Sequence, residues 1–347
     1  MSDIFSVMTV HALDVSTATA EQVARERWGI EARAEALTGE RDRNFRLRAT
    51  DGREFVLKFA NPAENADVTD MQIKALRHIA CVDPDMPVPR IVALPDGTVE
   101  TPVAHATGAI QRVRMLTWIP GVSMRASRRT AAQRVASGQL LARVQQALQD
   151  FTHPAAGHEL IWDLRHVLRL REVTDTLPHA GARAAVAEIL DAFEAEVIPA
   201  LPCLRRQVLH NDMNSLNTLV DAADHTRIAG LIDFGDMVET ANVIDVATGG
   251  PSQLGPDMPA AEALGHYVGG FHALRPLQPD EVALLPLLIA TRMVMGLVLQ
   301  VWHRHVQPDN PHYAVLSESE ILGRLRHIAD IRTPATNHAF RRACGVD

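Results

Sequence analysis

The segment HNDMNSLNTLV at 210–220 sets an aspartate and an asparagine in the spacing H-x-D-x-x-x-x-N, and IAGLIDFGD at 228–236 brings a further aspartate at the end of an apolar run. Those residue types in that order suit phosphoryl transfer. Asp212 would orient an attacking hydroxyl and receive its proton, Asn217 would bind a metal from the same loop, and Asp233 would ligate Mg²⁺ bridging nucleotide phosphates. Gly235 would let the chain turn sharply after the metal ligand. Asp212, Asn217 and Asp233 are therefore the catalytic candidates, with Asn217 and Asp233 also the metal ligands. A polar turn between two strands can carry His, Asn and Asp for hydrogen bonding alone. Both halves in the right order, downstream of a lysine-bearing strand, weigh against that reading. His210 is assigned to packing and orienting the loop rather than to reaction. Asp236, next to the metal aspartate, is a candidate for the metal or substrate site. Trp162, Asp163, Glu239 and Trp302 could supply the aromatic faces and carboxylates that hold a substrate ammonium.

The elements that must position these groups follow from pattern and punctuation. A short helix is expected at 21–28, then strands in IEARAEALTG and NFRLRATDGREFVLKFA, with Asp51-Gly52 as a hairpin turn. In the last of these, alternation sets Phe55, Leu57 and Phe59 on one face and Val56 and Lys58 on the other. ADVTDMQIKALRHIA reads as a helix stopped by the proline-laced VDPDMPVP. RIVALPDGTVETPV and AIQRVRMLTW add strands, the first pair turning at Pro95-Asp96-Gly97. After Ile119-Pro120-Gly121 the composition shifts to alanine, leucine and arginine, and 127–150 and 181–197 read as helices. QVLH and IAGLID form one β-ribbon within an otherwise helical remainder, with a helix beginning almost at once in VETANVIDVA. The expectation is an α+β, two-lobed chain: residues 1–119 a mainly antiparallel β lobe with one helix, residues 120–347 a mainly α lobe.

HNDMNSLNTLV together with LIDFGDMVETANVIDVA resembles the aminoglycoside phosphotransferase and choline kinase superfamily. DMVET and PDNPHYAVLSESEILGRL at 308–325 are most similar to its hydroxylysine kinase-like branch. The resemblance spans about residues 30–330. It implies a protein-kinase-like fold with a nucleotide in the interlobe cleft, Mg²⁺, ATP or GTP as donor, and phosphorylation of a hydroxyl on a small molecule, an amino alcohol or hydroxy amino acid of cationic character. By the same resemblance Lys58 holds the nucleotide phosphates, TGERDRNF at 38–45 (with Gly39 and Asn44) turns over them, and Leu116, Thr117, Trp118 and Ile119 form the hinge against the base. Gln72 falls where the superfamily has the glutamate that pairs with the strand lysine. It carries no charge, which leaves the partner of Lys58 open, with Asp70 a nearby substitute. Asp245 resembles the family aspartate that braces the catalytic loop. Homoserine, choline, ethanolamine or an aminoglycoside are alternative acceptors, and a nucleotide-binding regulator without turnover is the competing class. A protein kinase is disfavoured because no APE-like element follows Asp233.

Composition bounds the rest. The chain has 347 residues, 47% hydrophobic and 22% charged, enough to bury one large core or two lobes. Its net charge of -8 lacks the basic excess that nucleic-acid backbones attract. Three widely spaced cysteines, Cys81, Cys203 and Cys344, form no CxxC pair and fit a reducing cytoplasm. MSDIFSVMTVHALDVSTATAEQ has no basic region ahead of an apolar run, so a signal peptide is not expected. VALLPLLIATRMVMGLVLQVW at 282–302 approaches a bilayer span in length, but Arg292 at its centre and Pro286 favour a buried core helix. His303 and His305 diverge on a helix and make a poor metal pair.

Overall fold

In this computed structural model the described residues are 4–5, 13–39, 41–104, 110–308 and 316–346. Glu40 of the loop at 38–45, most of the N-terminal segment and residues 309–315 of PDNPHYAVLSESEILGRL lie outside them. The chain divides into two compact units, Met1–Ile119 and Pro120–Asp347.

In the first unit, α1 (Thr17–Trp28) begins where the Ser16 hydroxyl accepts the Thr19 N–H and ends at Gly29, whose φ of 66° closes the helix. The cap, not the apolar pattern, sets the start, so the helix opens before the expected Glu21. The strands β1 (Ala32–Leu37), β2 (Arg43–Ala49) and β3 (Glu54–Phe59) then form an antiparallel meander. Next come α2 (Ala66–Val82), β4 (Ile91–Val92), β5 (Thr101–Ala104) and β6 (Ile110–Thr117). The sheet order is β1-β2-β3-β6-β4, with β5 also on β6. The Pro95-Asp96-Gly97 turn is present, with Gly97 at φ 85°, but the strands it joins do not pair with each other. The 8-residue β6 is long enough to take β4 near one end and β5 near the other. Phe45, Leu47, Phe55, Leu57 and Phe59 form one core with Val113, Met115 and the α1 residues Val23 and Trp28. The alternation that builds this core leaves Lys58 on the opposite face, beside its β6 register partner Arg114.

The second unit contains β7 (Val122–Ser123), α3 (Ala131–Ala147) and α4 (Ala180–Ala192), which runs on through a π-turn at Phe193–Val197. The strands β8 (Arg206–Leu209), β9 (Thr218–Val220), β10 (Ile228–Leu231) and β11 (Val238–Ala241) lead into α5 (Asn242–Gly249), α6 (Ala260–Leu274), α7 (Pro279–Val306), α8 (Glu318–Ile331) and α9 (Pro334–Ala343). Two ribbons replace the single expected one: β8 pairs with β11, whereas β9 sits between β10 and β7. VETA is accordingly a strand before α5 rather than the start of a helix. The chain leaves the β8 ribbon through Asn211 and leaves β10 through Asp233, both at φ 61°. Among the described residues they are the non-glycine positions with positive φ, and Asn and Asp tolerate that conformation best.

The helix α7 is long and apolar enough by composition to cross a membrane, yet it is largely buried in the second unit and packs on α5, α8 and α4. The helices α3 and α6 approach closely because Gly138 and Gly270 face each other's backbone. A Cβ on Gly138 would lie 2.1 Å from the Tyr267 carbonyl oxygen and 2.7 Å from the Phe271 nitrogen. Alanine there would gain about 1 kcal/mol of helix propensity, but overpacking against backbone costs about 1–3 kcal/mol or more. Because the 2.1 Å contact is to backbone, the cost falls at the upper end, and Gly138→Ala is expected to lower stability by up to about 2 kcal/mol, read from the urea midpoint; an unchanged midpoint would mean that the helices separate freely.

Candidate active site

The loop after β8 is fixed by its own side chains. The Asn214 side-chain oxygen accepts the N–H groups of Leu216 (2.7 Å) and Asn217 (3.1 Å), an Asx turn that curls the loop on itself. Asp212 Oδ1 accepts from Asn214 Nδ2 at 2.9 Å and Oδ2 from Asn217 Nδ2 at 2.6 Å. Because Asn217 spends its amide nitrogen on Asp212, its side-chain oxygen is the atom suited to a cation. Arg292 Nη2 lies 3.6 Å from Asp212 Oδ1, and the guanidinium stacks 4.7 Å from the Trp162 ring centroid. Burial, followed by the neighbouring Asp236 carboxylate, pushes Asp212 well above the usual carboxylate range, with Arg292 opposing. Asp233 is exposed, Asp236 is buried, and the Asp233 carboxylate accepts the Gly235 N–H at 3.3 Å.

Beneath the loop, His210 Nδ1 accepts the Asp212 N–H at 3.1 Å and Nε2 sits 3.2 Å from the Ile232 carbonyl. This is the bonding of a neutral ring protonated on Nε2, and burial accordingly pulls its pKa down to about 4. The α5 residue Asp245 accepts the Asn211 N–H at 2.9 Å and Gln145 Nε2 at 3.3 Å, while burial raises its pKa to about 6. The two groups act on stability with opposite signs. His210 refuses a proton that the unfolded chain binds below about 6.5, so its contribution is complete above that pH and disappears as pH falls towards 4. Folded Asp245 keeps its proton up to about pH 6 where the unfolded chain loses it near 3.8, so its contribution is complete below 3.8 and lost as pH rises through 6. Asp245→Asn is therefore expected to gain about 3 kcal/mol on the wild type as pH rises from about 4 to 7. Denaturant unfolding across that range reads it, and a constant difference would show Asp245 ionising as freely folded as unfolded.

In the first unit a second charged cluster forms around Asp42. Its Oδ1 accepts the Asn61 N–H at 3.1 Å, and its Oδ2 lies 3.5 Å from Lys58 Nζ and 3.6 Å from Arg114 Nη2. Burial pushes Asp42 up, but Lys58 and Arg114 outweigh it and hold the carboxyl below its usual range. Gln72 joins this cluster through Arg114: its Oε1 accepts from Arg114 Nη2 at 2.9 Å. Asp70 is paired with Lys74 at 2.6 Å. A carboxylate beside Lys58 comes from the loop at 38–45, and Arg114 and Asp42 are the residues that sequence reasoning missed. Their signal was an arginine alternating with Val113 and Met115 in β6. At Gly39 a Cβ would meet the Asp42 carbonyl oxygen at 2.6 Å and Asn44 Nδ2 at 2.7 Å, so the tight loop demands glycine. Asn44 Oδ1 is buried without a partner among the described residues. Of the hinge residues, Leu116 lies in β6, and the amides of Thr117 and Trp118 are held by the Arg90 and Glu54 carbonyls at 2.9 and 3.1 Å, so they serve the end of the sheet. Ile119 is the last residue of the unit.

Four candidates for binding an ammonium have partners or burial of their own. Asp163 is fully buried, caps the following turn through the Arg165 N–H at 3.0 Å and pairs with Arg165 Nε at 2.5 Å. Glu239 faces Arg206 across the β8–β11 ribbon at 2.9 Å. Trp162 carries the chain's own cation, Arg292, on its ring, and Trp302 is buried in α7. Asp236 does lie with Asp212 and Asp233. Arg292 entered the sequence reasoning only as a charge unsuited to lipid; its isolation in an apolar helix was the available sign of a functional position.

Residues 34–277 match the family described as a phosphotransferase enzyme family. The chain is 25% identical over 331 residues to the hydroxylysine kinase of Mus musculus, covering 89% of this chain and 88% of that protein. A solved microcompartment-associated aminopropanol kinase superposes with a TM-score of 0.70 at 18% identity, over 96% of this chain and 100% of that one. An amicoumacin kinase solved with AMP-PNP, Ca²⁺ and Ami gives 0.69 at 14% identity, over 93% and 95%. The superpositions show a kinase-like α+β fold, with an antiparallel sheet in one lobe and helices in the other. Since the family match takes in well over half of the chain, including Lys58, the 210–217 loop and Asp233, this chain belongs to the phosphotransferase enzyme family.

Proposed function

We propose that the chain is a small-molecule kinase that moves the γ-phosphoryl group of ATP or GTP, with Mg²⁺, to a hydroxyl of an amino alcohol or hydroxy amino acid. The observation that carries this reading is Asp212, held by two amide donors beside Arg292, with the Asp236 and Asp233 carboxylates close enough to raise its pKa. A carboxylate has about four lone-pair sites, so Asp212 keeps the capacity to accept a hydroxyl proton while its oxygens stay oriented. Its raised pKa makes it a stronger base than a solvent carboxylate. Asn217 and Asp233 offer one amide and one carboxylate oxygen, a donor set that suits Mg²⁺ completing its shell with phosphate oxygens and water. When bound, Mg²⁺ neutralises charge on the transferring phosphoryl group. Lys58, 3.5 Å from Asp42, would exchange that carboxylate for nucleotide phosphates. Asp236, buried with Asp212, favours an acceptor that brings positive charge. The free cysteines Cys81, Cys203 and Cys344 support a cytoplasmic location. The test is a panel of hydroxylysine, homoserine, choline and aminoglycosides with ATP or GTP and Mg²⁺, following phosphorylated product by mass spectrometry. Nucleotide binding without product from any hydroxyl compound would instead favour a regulator.

A further inference from the structure

A cavity of about 920 Å³ opens within the second unit against the catalytic loop, where Asn214, Ser215 and Leu216 form one wall. Two of its residues touch the proposed base: Asn214 bonds Asp212 at 2.9 Å and Arg292 lies 3.6 Å from it. An acceptor hydroxyl presented to Asp212 from the second unit would extend into this space. Its charged lining is mostly basic: Arg292 from α7, Arg324 from α8 and Arg125 after β7, against the single carboxylate Asp330, with His327 beside it. Much of the remainder, including Leu254, Met258, Met293 and Ile328, is apolar.

These arginines are positioned rather than scattered. Arg292 is braced by the Trp162 ring and Asp212, with only 12% of its side chain exposed. Arg324 Nη1 is held by Gln300 Oε1 at 2.8 Å. Arg125 lines the same cavity, and burial, offset by Glu320, and then Arg125 pull the Arg324 pKa below its usual value. Arginines brought together beside an apolar wall offer a site for an anion, and a guanidinium's fork of N–H donors matches a carboxylate.

We propose that this cavity receives the acceptor and that Arg292, with Arg125 and Arg324, binds a carboxylate on it, making the substrate a hydroxy acid rather than a plain amino alcohol. The proposal rests on the kinase reading above and narrows its acceptor: within that reading, the hydroxy amino acid.

The test uses the full chain and matched pairs that differ by the carboxyl group: hydroxylysine against 1,5-diaminopentan-2-ol, and homoserine against 3-aminopropan-1-ol. The carboxylate member of a pair is expected to be preferred by at least about tenfold in kcat/KM, as a charge-assisted contact implies. Arg292→Gln and Arg324→Gln should each erase most of that preference through acceptor KM while leaving nucleotide KM within about twofold. Arg324→Gln, on the exposed side of α8, keeps the test open if the Arg292 variant fails to fold. Equal use of both members, preference for the decarboxylated one, or no turnover of either carboxylate overturns the proposal. So does a rise in nucleotide KM matching that in acceptor KM, which would assign the arginines to phosphate. Turnover of the decarboxylated compounds alone would sink the carboxylate and leave the kinase reading standing.

Discussion

Asp212→Asn is expected to lower kcat by about a hundredfold to ten-thousandfold while leaving nucleotide affinity near the wild-type value. The side chain that would receive the hydroxyl proton loses its basicity but keeps its size. Asparagine also presents an NH₂ group to one of the two amides, Asn214 or Asn217, that now donate to Asp212, so the loop must relax slightly. Against that cost, a carboxylate burdened by burial and by Asp236 is removed, and the thermal midpoint should hold or rise. Turnover near the wild-type rate in a well-folded Asn variant would remove Asp212 from the chemistry.

Asp233→Ala is expected to abolish Mg²⁺-dependent nucleotide binding and to bring turnover to background. Two effects are superimposed here and can be separated. Asp233 sits at φ 61° and its carboxylate accepts the Gly235 N–H, so alanine loses a residue type that tolerates the left-handed region, at about 1–2 kcal/mol. Asp233→Asn keeps both the backbone preference and the acceptor while removing the charge. If the role is metal binding, both variants lose the Mg²⁺-dependent component of nucleotide affinity in calorimetric titrations, and only the alanine variant loses stability. Retention of Mg²⁺ dependence in the asparagine variant would place the ligand elsewhere.

What could be seen in the chain beforehand was whatever is fixed over a few residues. The loop at 210–217 closes on itself through Asn214 and Asn217, and Asp233-Phe234-Gly235 follows β10 directly, so their chemistry is written in local spacing. The Asp51-Gly52 hairpin and the apolar alternation of β3 are equally local. Less could be seen where a side chain's partner comes from elsewhere or is chosen by burial. Glu239 is taken by Arg206 only because β11 pairs with β8, and Asp163 is drawn inward because the turn after it needs a cap.

Sequence by itself determined the class of chemistry, because the 210–217 loop, Asp233-Phe234-Gly235 and the strand bearing Lys58 are specified by residue type, order and local spacing. Tertiary structure decided which charges meet. Lys58 and Arg114 share Asp42 only because β3 and β6 lie in register and the loop folds over them, and Arg292 reaches Asp212 only because α7 packs beside the catalytic loop. Charge pairing falls off over a few ångströms, whereas these partners are far apart along the chain. Phosphoryl transfer as the class of reaction was therefore legible in the sequence, and the surroundings proposed to select the substrate were not.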